Sequence, residues 1–169
     1  MNVFFISDHH FGHGNIIKYE NRPFFDVDSM TEHMIKAWNK VVGKNDKVYV
    51  LGDFSFYGFE KTESIVKRLN GFKYLVVGNH DRRKSNEWWR RVGFKEVYDK
   101  PIIYNDFFIL SHEPVYVNQC MPYLNIHGHL HSKKMVSAED NQYINVSVEC
   151  WDYEPQPISS FIMAEGEEG

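Results

Sequence analysis

Short apolar runs punctuate this chain, and each breaks off abruptly into polar residues. The first, Val3-Phe4-Phe5-Ile6, is continuous, the signature of a strand buried on both faces. Val48–Leu51, Tyr74–Val77, Phe107–Leu110, Leu124–Ile126 and Tyr143–Val148 repeat it. Between the first two runs the period becomes helical. Ser29-Met30-Thr31-Glu32 has the capping-box form. Met30, Met34, Trp38 and Val41 or Val42 then share one face, and Gly43 ends the helix. A second helix is predicted over 60–69, with Ile65, Val66 and Leu69 inward, and a weaker third over 85–92. Strand and helix alternate in the first half, and strands dominate the second. That order predicts a layered α/β architecture with helices outside the sheets. The chain reads as one domain over residues 1–163, followed by an acidic tail at 164–169.

The polar residues that end the runs are of one chemical kind. Asp8 and His10 follow the first run, Asp53 the second, and Asn79 and His80 the third. His112 follows Phe107–Leu110, and His129 and His131 follow Leu124–Ile126. In open α/β sheets ligands bind beyond the carboxyl ends of the strands, so five strand ends converge on one edge. Carboxylate, imidazole and amide oxygen together suit borderline divalent metals. Seven candidate ligands (Asp8, His10, Asp53, Asn79, His112, His129, His131) exceed the needs of one ion. Two ions sharing a carboxylate would use them all, and such a pair, about 3.5–4 Å apart, serves in-line displacement at phosphorus. Gly52, Gly78 and Gly128 precede ligand positions, where the chain must turn sharply or approach an ion closely.

Composition narrows the class. The chain has 169 residues, 43% of them hydrophobic, enough for a core that folds without staples. A formal charge of -4 argues against a broad nucleic-acid surface, though not against a nucleotide held at a metal site. Cys120 and Cys150 are isolated, which fits a reducing compartment. With neither a basic leader nor a long apolar span in view, a soluble cytoplasmic protein without membrane association is expected.

The motifs Asp8-x-His10, Gly52-Asp53, Gly78-Asn79-His80-Asp81, Ser111-His112 and Gly128-His129-Leu130-His131 stand in order. Together they resemble the five blocks of the calcineurin-like metallophosphoesterases. The stretch from Asp8 to Ile17 further resembles a small single-domain branch of bacterial and phage type. The resemblance implies a four-layer α-β-β-α sandwich, two facing mixed sheets flanked by helices. It implies that Asp8, His10 and His131 hold one metal, that Asn79, His112 and His129 hold the other, and that Asp53 bridges them. His80 would be the general acid for the leaving oxygen, and Asp81 would orient His80 by accepting its second ring proton. The expected reaction is hydrolysis of phosphomonoesters or phosphodiesters by a hydroxide bridging the metals, with phosphodiester or nucleotide-type substrates favoured. Manganese is the first expectation for the ions, with Fe, Zn, Ni, Co and Mg as alternatives. A nuclease or RNA-end-processing enzyme, using the basic clusters 82–84, 90–91 and 133–134, is a second reading, and a non-catalytic scaffold on the same fold a third. The triplet Asp8-His9-His10 also spells the DHH signature of another phosphoesterase family. That family carries it in mid-chain, whereas seven residues precede it here, so the match is coincidental.

Several residues stay open to two readings. His13 is either a substrate contact or a support of its loop. Arg82 and Arg83 are either a phosphate clamp or a solvated face. His9, His33 and His127 read as packing residues, and one of Trp88 and Trp89 as a core anchor, the other being placed to stack a base. Asn15 and Asn118 are weak candidates for phosphate contacts.

Overall fold

The computed structural model describes residues 1–133 and 141–162, so Lys134 and the 164–169 tail lie outside the described residues. The strands are β1 (Val3–Ile6), β2 (Lys47–Val50), β3 (Phe72–Val76), β4 (Glu96–Tyr98), β5 (Ile102–Tyr104), β6 (Phe108–Leu110), β7 (Leu124–His127), β8 (Tyr143–Asn145) and β9 (Gln156–Pro157). The helices are α1 (Gly14–Tyr19), α2 (Val27–Val41), α3 (Phe59–Arg68) and α4 (Asn86–Val92). They build two mixed sheets, ordered β4-β3-β2-β1-β9 and β5-β6-β7-β8. β1 to β4 pair in parallel with β9 antiparallel at the edge. In the second sheet β6, β7 and β8 are parallel and β5 is antiparallel.

Alternation along β1 sets the layering. Phe4 and Ile6 face the helices and join Met34, Trp38, Ile65, Val66 and Trp89 in one core. Val3 and Phe5 face the other way, meeting Tyr49, Leu51, Phe108, Leu110 and Ile126 between the sheets. A strand with an apolar layer on each side must be apolar at every position, hence the unbroken run. The four helices all contribute to the first core. On the outer face of the second sheet, the 113–117 segment lies against the strands. There Val115 N donates to Asn125 Oδ1 at 2.9 Å and Val117 N to the Tyr143 hydroxyl at 3.0 Å.

Local competition moved two boundaries. α2 starts a turn before Ser29–Glu32, because Asp26 is the cap. Its carboxylate accepts from Ser29 N at 2.7 Å, while the Ser29 hydroxyl accepts from Asp26 N. Glu32, released from capping, pairs with Arg68 through two 2.7 Å bonds and ties α2 to α3. The run Tyr143–Val148 is not one strand; β8 stops at Asn145 and Val148–Cys150 forms a 3-10 turn. The Asn145 amide oxygen accepts from both N and Oγ of Ser147, a local bond that displaces the ladder. Ser7 and Ser147 instead form an isolated bridge. Ser7 N donates to Val146 O at 3.0 Å and Val148 N to Ser7 O at 3.1 Å, joining the two sheets where the site lies.

Candidate metal centre

The loops leaving β1, β2, β3, β6 and β7 meet at one edge, and the structure brings all seven expected donors together there. Their backbones are strained. Asp8, His10, Asp53, His129 and His131 have φ of 60°, 54°, 54°, 69° and 51°. Holding a non-glycine residue in that left-handed region costs on the order of 1–3 kcal/mol, and such residues collect at functional sites. Close approach demands glycine at all three positions before ligands. A Cβ on Gly52 would enter the His112 ring, one on Gly78 would enter Asp53, and one on Gly128 would enter Ser7 and Asp8.

The donors form two clusters linked by Asp53. In the first, the free oxygen of Asp8 lies 3.8 Å from His10 Nε2 and 3.8 Å from His131 Nε2. His10 Nε2 is 3.5 Å from Asp53 Oδ2. The other Asp8 oxygen accepts from His129 N at 2.8 Å and Ser147 Oγ at 3.0 Å. Asp8 Oδ1 and His10 Nε2 are buried without a hydrogen-bond partner, an arrangement too costly to leave uncompensated.

In the second cluster His112 Nε2 lies 2.8 Å from Asn79 Oδ1 and 3.5 Å from Asp53 Oδ2. His129 Nδ1 is 3.2 Å from both Asn79 Oδ1 and His112 Nε2. The other nitrogen of His112 donates to Leu51 O at 2.8 Å, so in the neutral ring Nε2 is a bare lone pair facing an amide oxygen. Nitrogen and oxygen atoms able to ligate a metal converge in both clusters. A cation satisfies that geometry.

Electrostatics agree. Burial alone would raise the Asp8 carboxyl, but the His10 ring beside it and the charges of His112 and His131 hold it well below the carboxylate range. Burial lowers His10 to about 4. Burial pushes Asp53 up to about 7, with Asp81 and Asp8 opposing the help from His112. Burial would lower His131, but its hydrogen bond to Glu149 and the charges of Asp8 and Glu149 raise it, so a cation would displace the protons held by His131 and Asp53.

His80 caps a 3-10 turn, Asp81–Arg83, with Nε2 3.9 Å from Asp53 Oδ2 and its side chain 35% exposed. Burial, followed by Arg83, lowers its pKa. Asp81 does not serve as expected. Its carboxylate accepts from Asp53 N at 2.7 Å, Gly78 N at 2.9 Å and Phe54 N at 3.0 Å, and not from the His80 ring. It clamps the two ligand loops together. His13 stacks on Phe56 with centroids 4.4 Å apart, and its Nδ1 lies 3.2 Å from His10 Nδ1, so it borders the centre. Arg82 and Arg83 are exposed beside it.

The packing histidines fall where expected. His9 is buried among Phe11, Trp38 and Phe54. His127 bonds to Gly128 O, and His33 packs on Phe24 and Tyr153. Trp89 is the core anchor, while Lys84 lies over Trp88. Asn118 closes a local turn through Cys120 N. Two residues escaped the sequence reading, Arg22 and Glu149. Glu149 accepts from Arg22 and from His131 Nδ1. Its signal was present, since the sixth apolar run also leads into a carboxylate.

Two facing mixed sheets with carboxylate-linked clusters of nitrogen and oxygen donors at one edge define a metal-centred α/β protein. Residues 1–160 match the calcineurin-like phosphoesterases, and the chain belongs to that family. It is 38% identical to an uncharacterized protein of Methanocaldococcus jannaschii, over 95% of this chain and 89% of that one. It is 28% identical to the gene 66 protein of Mycobacterium phage D29, over 89% of each. The crystal structure of a protein of unknown function from Aquifex aeolicus superposes with a TM-score of 0.74. That likeness holds at 30% identity over 95% of this chain and 99% of the other. Membership implies metal-dependent phosphoester hydrolysis. Among the described residues no helix is long and apolar enough to cross a membrane.

Proposed function

We propose that this chain is a two-metal phosphoesterase of the cytoplasm that hydrolyses phosphodiester or nucleotide-type substrates. The observation that carries the reading is the convergence of nitrogen and oxygen donors in two clusters linked by Asp53. Asp8, His10 and His131 would hold one ion and Asn79, His112 and His129 the other, with Asp53 shared between them; manganese suits this set first. When bound, the two ions supply Lewis acidity toward phosphoryl oxygens and lower the pKa of water enough for attack at neutral pH. His80, partly exposed and off both clusters, delivers a proton from Nε2 to the departing oxygen. Arg82 and Arg83 lie on the same turn and draw the anionic substrate to the centre, and His13 borders the substrate's path.

The test is hydrolysis of bis-p-nitrophenyl phosphate, followed by a panel of cyclic nucleotides, nucleotide monoesters, dinucleotides and short RNA. Each is assayed with Mn, Mg, Ni and Zn and after chelation. Metal-dependent turnover abolished by chelation supports the proposal. No turnover with any metal across the panel would leave a scaffold on this fold. Processing of RNA alone would select the nuclease reading.

A further inference from the structure

Among the described residues, a buried arginine–glutamate pair lies behind one of the two clusters and not the other. Arg22, in the loop between α1 and α2, is only 4% exposed. Its Nη1 donates to His9 O at 2.8 Å and its Nη2 to Asp8 O at 2.7 Å. Its Nε donates to Glu149 Oε1 at 2.9 Å, 127 residues away in sequence. The same oxygen of Glu149 accepts from His131 Nδ1 at 3.0 Å. A single guanidinium thus fixes the backbone that carries Asp8 and His10 through their left-handed turns. Through Glu149 it also fixes the ring of His131. The second cluster is backed differently: Asp81 clamps its loops through backbone amides, but the ring of His112 leans on the neutral carbonyl of Leu51.

We propose that the Arg22–Glu149 pair is the positioning device of the Asp8–His10–His131 cation site and makes it the tighter of the two. A buried ion pair is poor value as a source of stability, because desolvation offsets its attraction. Its value here is directional. A carboxylate behind an imidazole fixes the tautomer, aims the bare nitrogen and raises its basicity, and losing such a partner typically weakens metal binding 10–100-fold. Glu149 acts through His131 and not as a ligand. Glu20, His131 and Glu149 do approach within 4.8 Å of one another. However, Arg22 and His131 share Oε1 of Glu149, leaving Oε2 buried without a partner, and Glu20 Oε2 accepts from Ser132 Oγ at 2.9 Å, so binding of a third cation would mark Glu149 as a ligand. The proposal rests on the two-cation reading above.

The experiment is calorimetric titration of the metal-free full-length protein with manganese alone. Wild type should bind in two steps of unequal affinity. Glu149→Gln keeps an oxygen for His131 but removes the charge. It should weaken the tight step by roughly 10–100-fold and leave the weak step within about twofold. Arg22→Lys, with one point charge in place of a fork, should weaken the same step. Should Arg22→Lys fail to fold, the double variant Arg22→Met/Glu149→Gln removes both charges at once and should show the same selective loss. Unchanged binding in Glu149→Gln, equal weakening of both steps, or loss of a third cation would each overturn the proposal. A single step in wild type would overturn the two-cation reading instead. If Glu149→Gln still weakened that step, the positioning role would stand, and if not, both would fall.

Discussion

Asp81 separates two accounts of the loop after β3. Its carboxylate accepts three backbone N–H groups, two on one oxygen and one on the other. Asparagine has one acceptor oxygen. Placed where Asp53 N and Gly78 N converge, it leaves its own NH₂ against the N–H of Phe54. Asp81→Asn thus deletes one charge-assisted bond, worth about 1.5–3 kcal/mol, weakens two others, and buries an unpaired donor. Part of this returns, because burial raises the Asp81 carboxyl and a neutral amide escapes that penalty. The net cost should be about 2–4 kcal/mol. At roughly 2–4 °C per kcal/mol for a chain of this size, Tm of the metal-free protein should fall by about 5–15 °C. Manganese affinity should drop as well, since Asp53 and Gly78-Asn79 lose their common anchor. Thermal denaturation by circular dichroism and calorimetric titration read the two effects. If Asp81 instead oriented His80, the variant would keep its Tm and its metals and lose rate only on substrates with poor leaving groups. That outcome would refute the clamp.

His80→Ala should keep fold and metals while kcat on an alkyl ester falls by roughly 10²–10⁴ and far less on a p-nitrophenyl ester; equal losses on both would exclude a proton-donor role. Asp53→Asn should have opposite effects in two assays. Manganese binding and turnover should collapse, yet the metal-free protein should melt no lower than wild type, because a carboxyl pushed up to about 7 by burial beside Asp81 and Asp8 has been neutralised. Normal metal content in this variant would contradict the shared-ligand assignment. His9 is held down to about 3 by burial. The unfolded imidazole therefore takes up a proton near pH 6.5 while the folded one does not, so this contribution to stability is complete above pH 6.5 and is lost as pH falls toward 3. His9→Phe in the metal-free protein should remove one proton's worth of slope between pH 5.5 and 4, about 1.4 kcal/mol per pH unit, measured by urea denaturation; an unchanged acid limb would show that His9 is not buried neutral.

The residues that were legible share one property: their signal is local. An apolar run that ends in Asp8 or His112 states both the strand and what its end presents, and β1, β2, β3, β6 and β7 follow it closely. β4, β5 and β9 have only two or three residues each and carry no period to detect. Arg22 reads as one cation in a polar loop, and nothing near it announces a carboxylate 127 residues on. Asp81 departs from the role the resemblance implies, because adjacency in sequence does not guarantee contact in space. His80 caps a 3-10 turn that begins at Asp81. With three residues per turn, successive side chains diverge by about 120°. If one of the pair faces the cleft, its neighbour must face elsewhere, and here it meets the amides of the loops beneath. The same rotation leaves Arg82 and Arg83 at the surface. The proposed proton donor, a buried anchor and two exposed cations thus follow from one tight turn. The motif fixes which residues are present, and the turn's pitch decides which of them can reach the substrate.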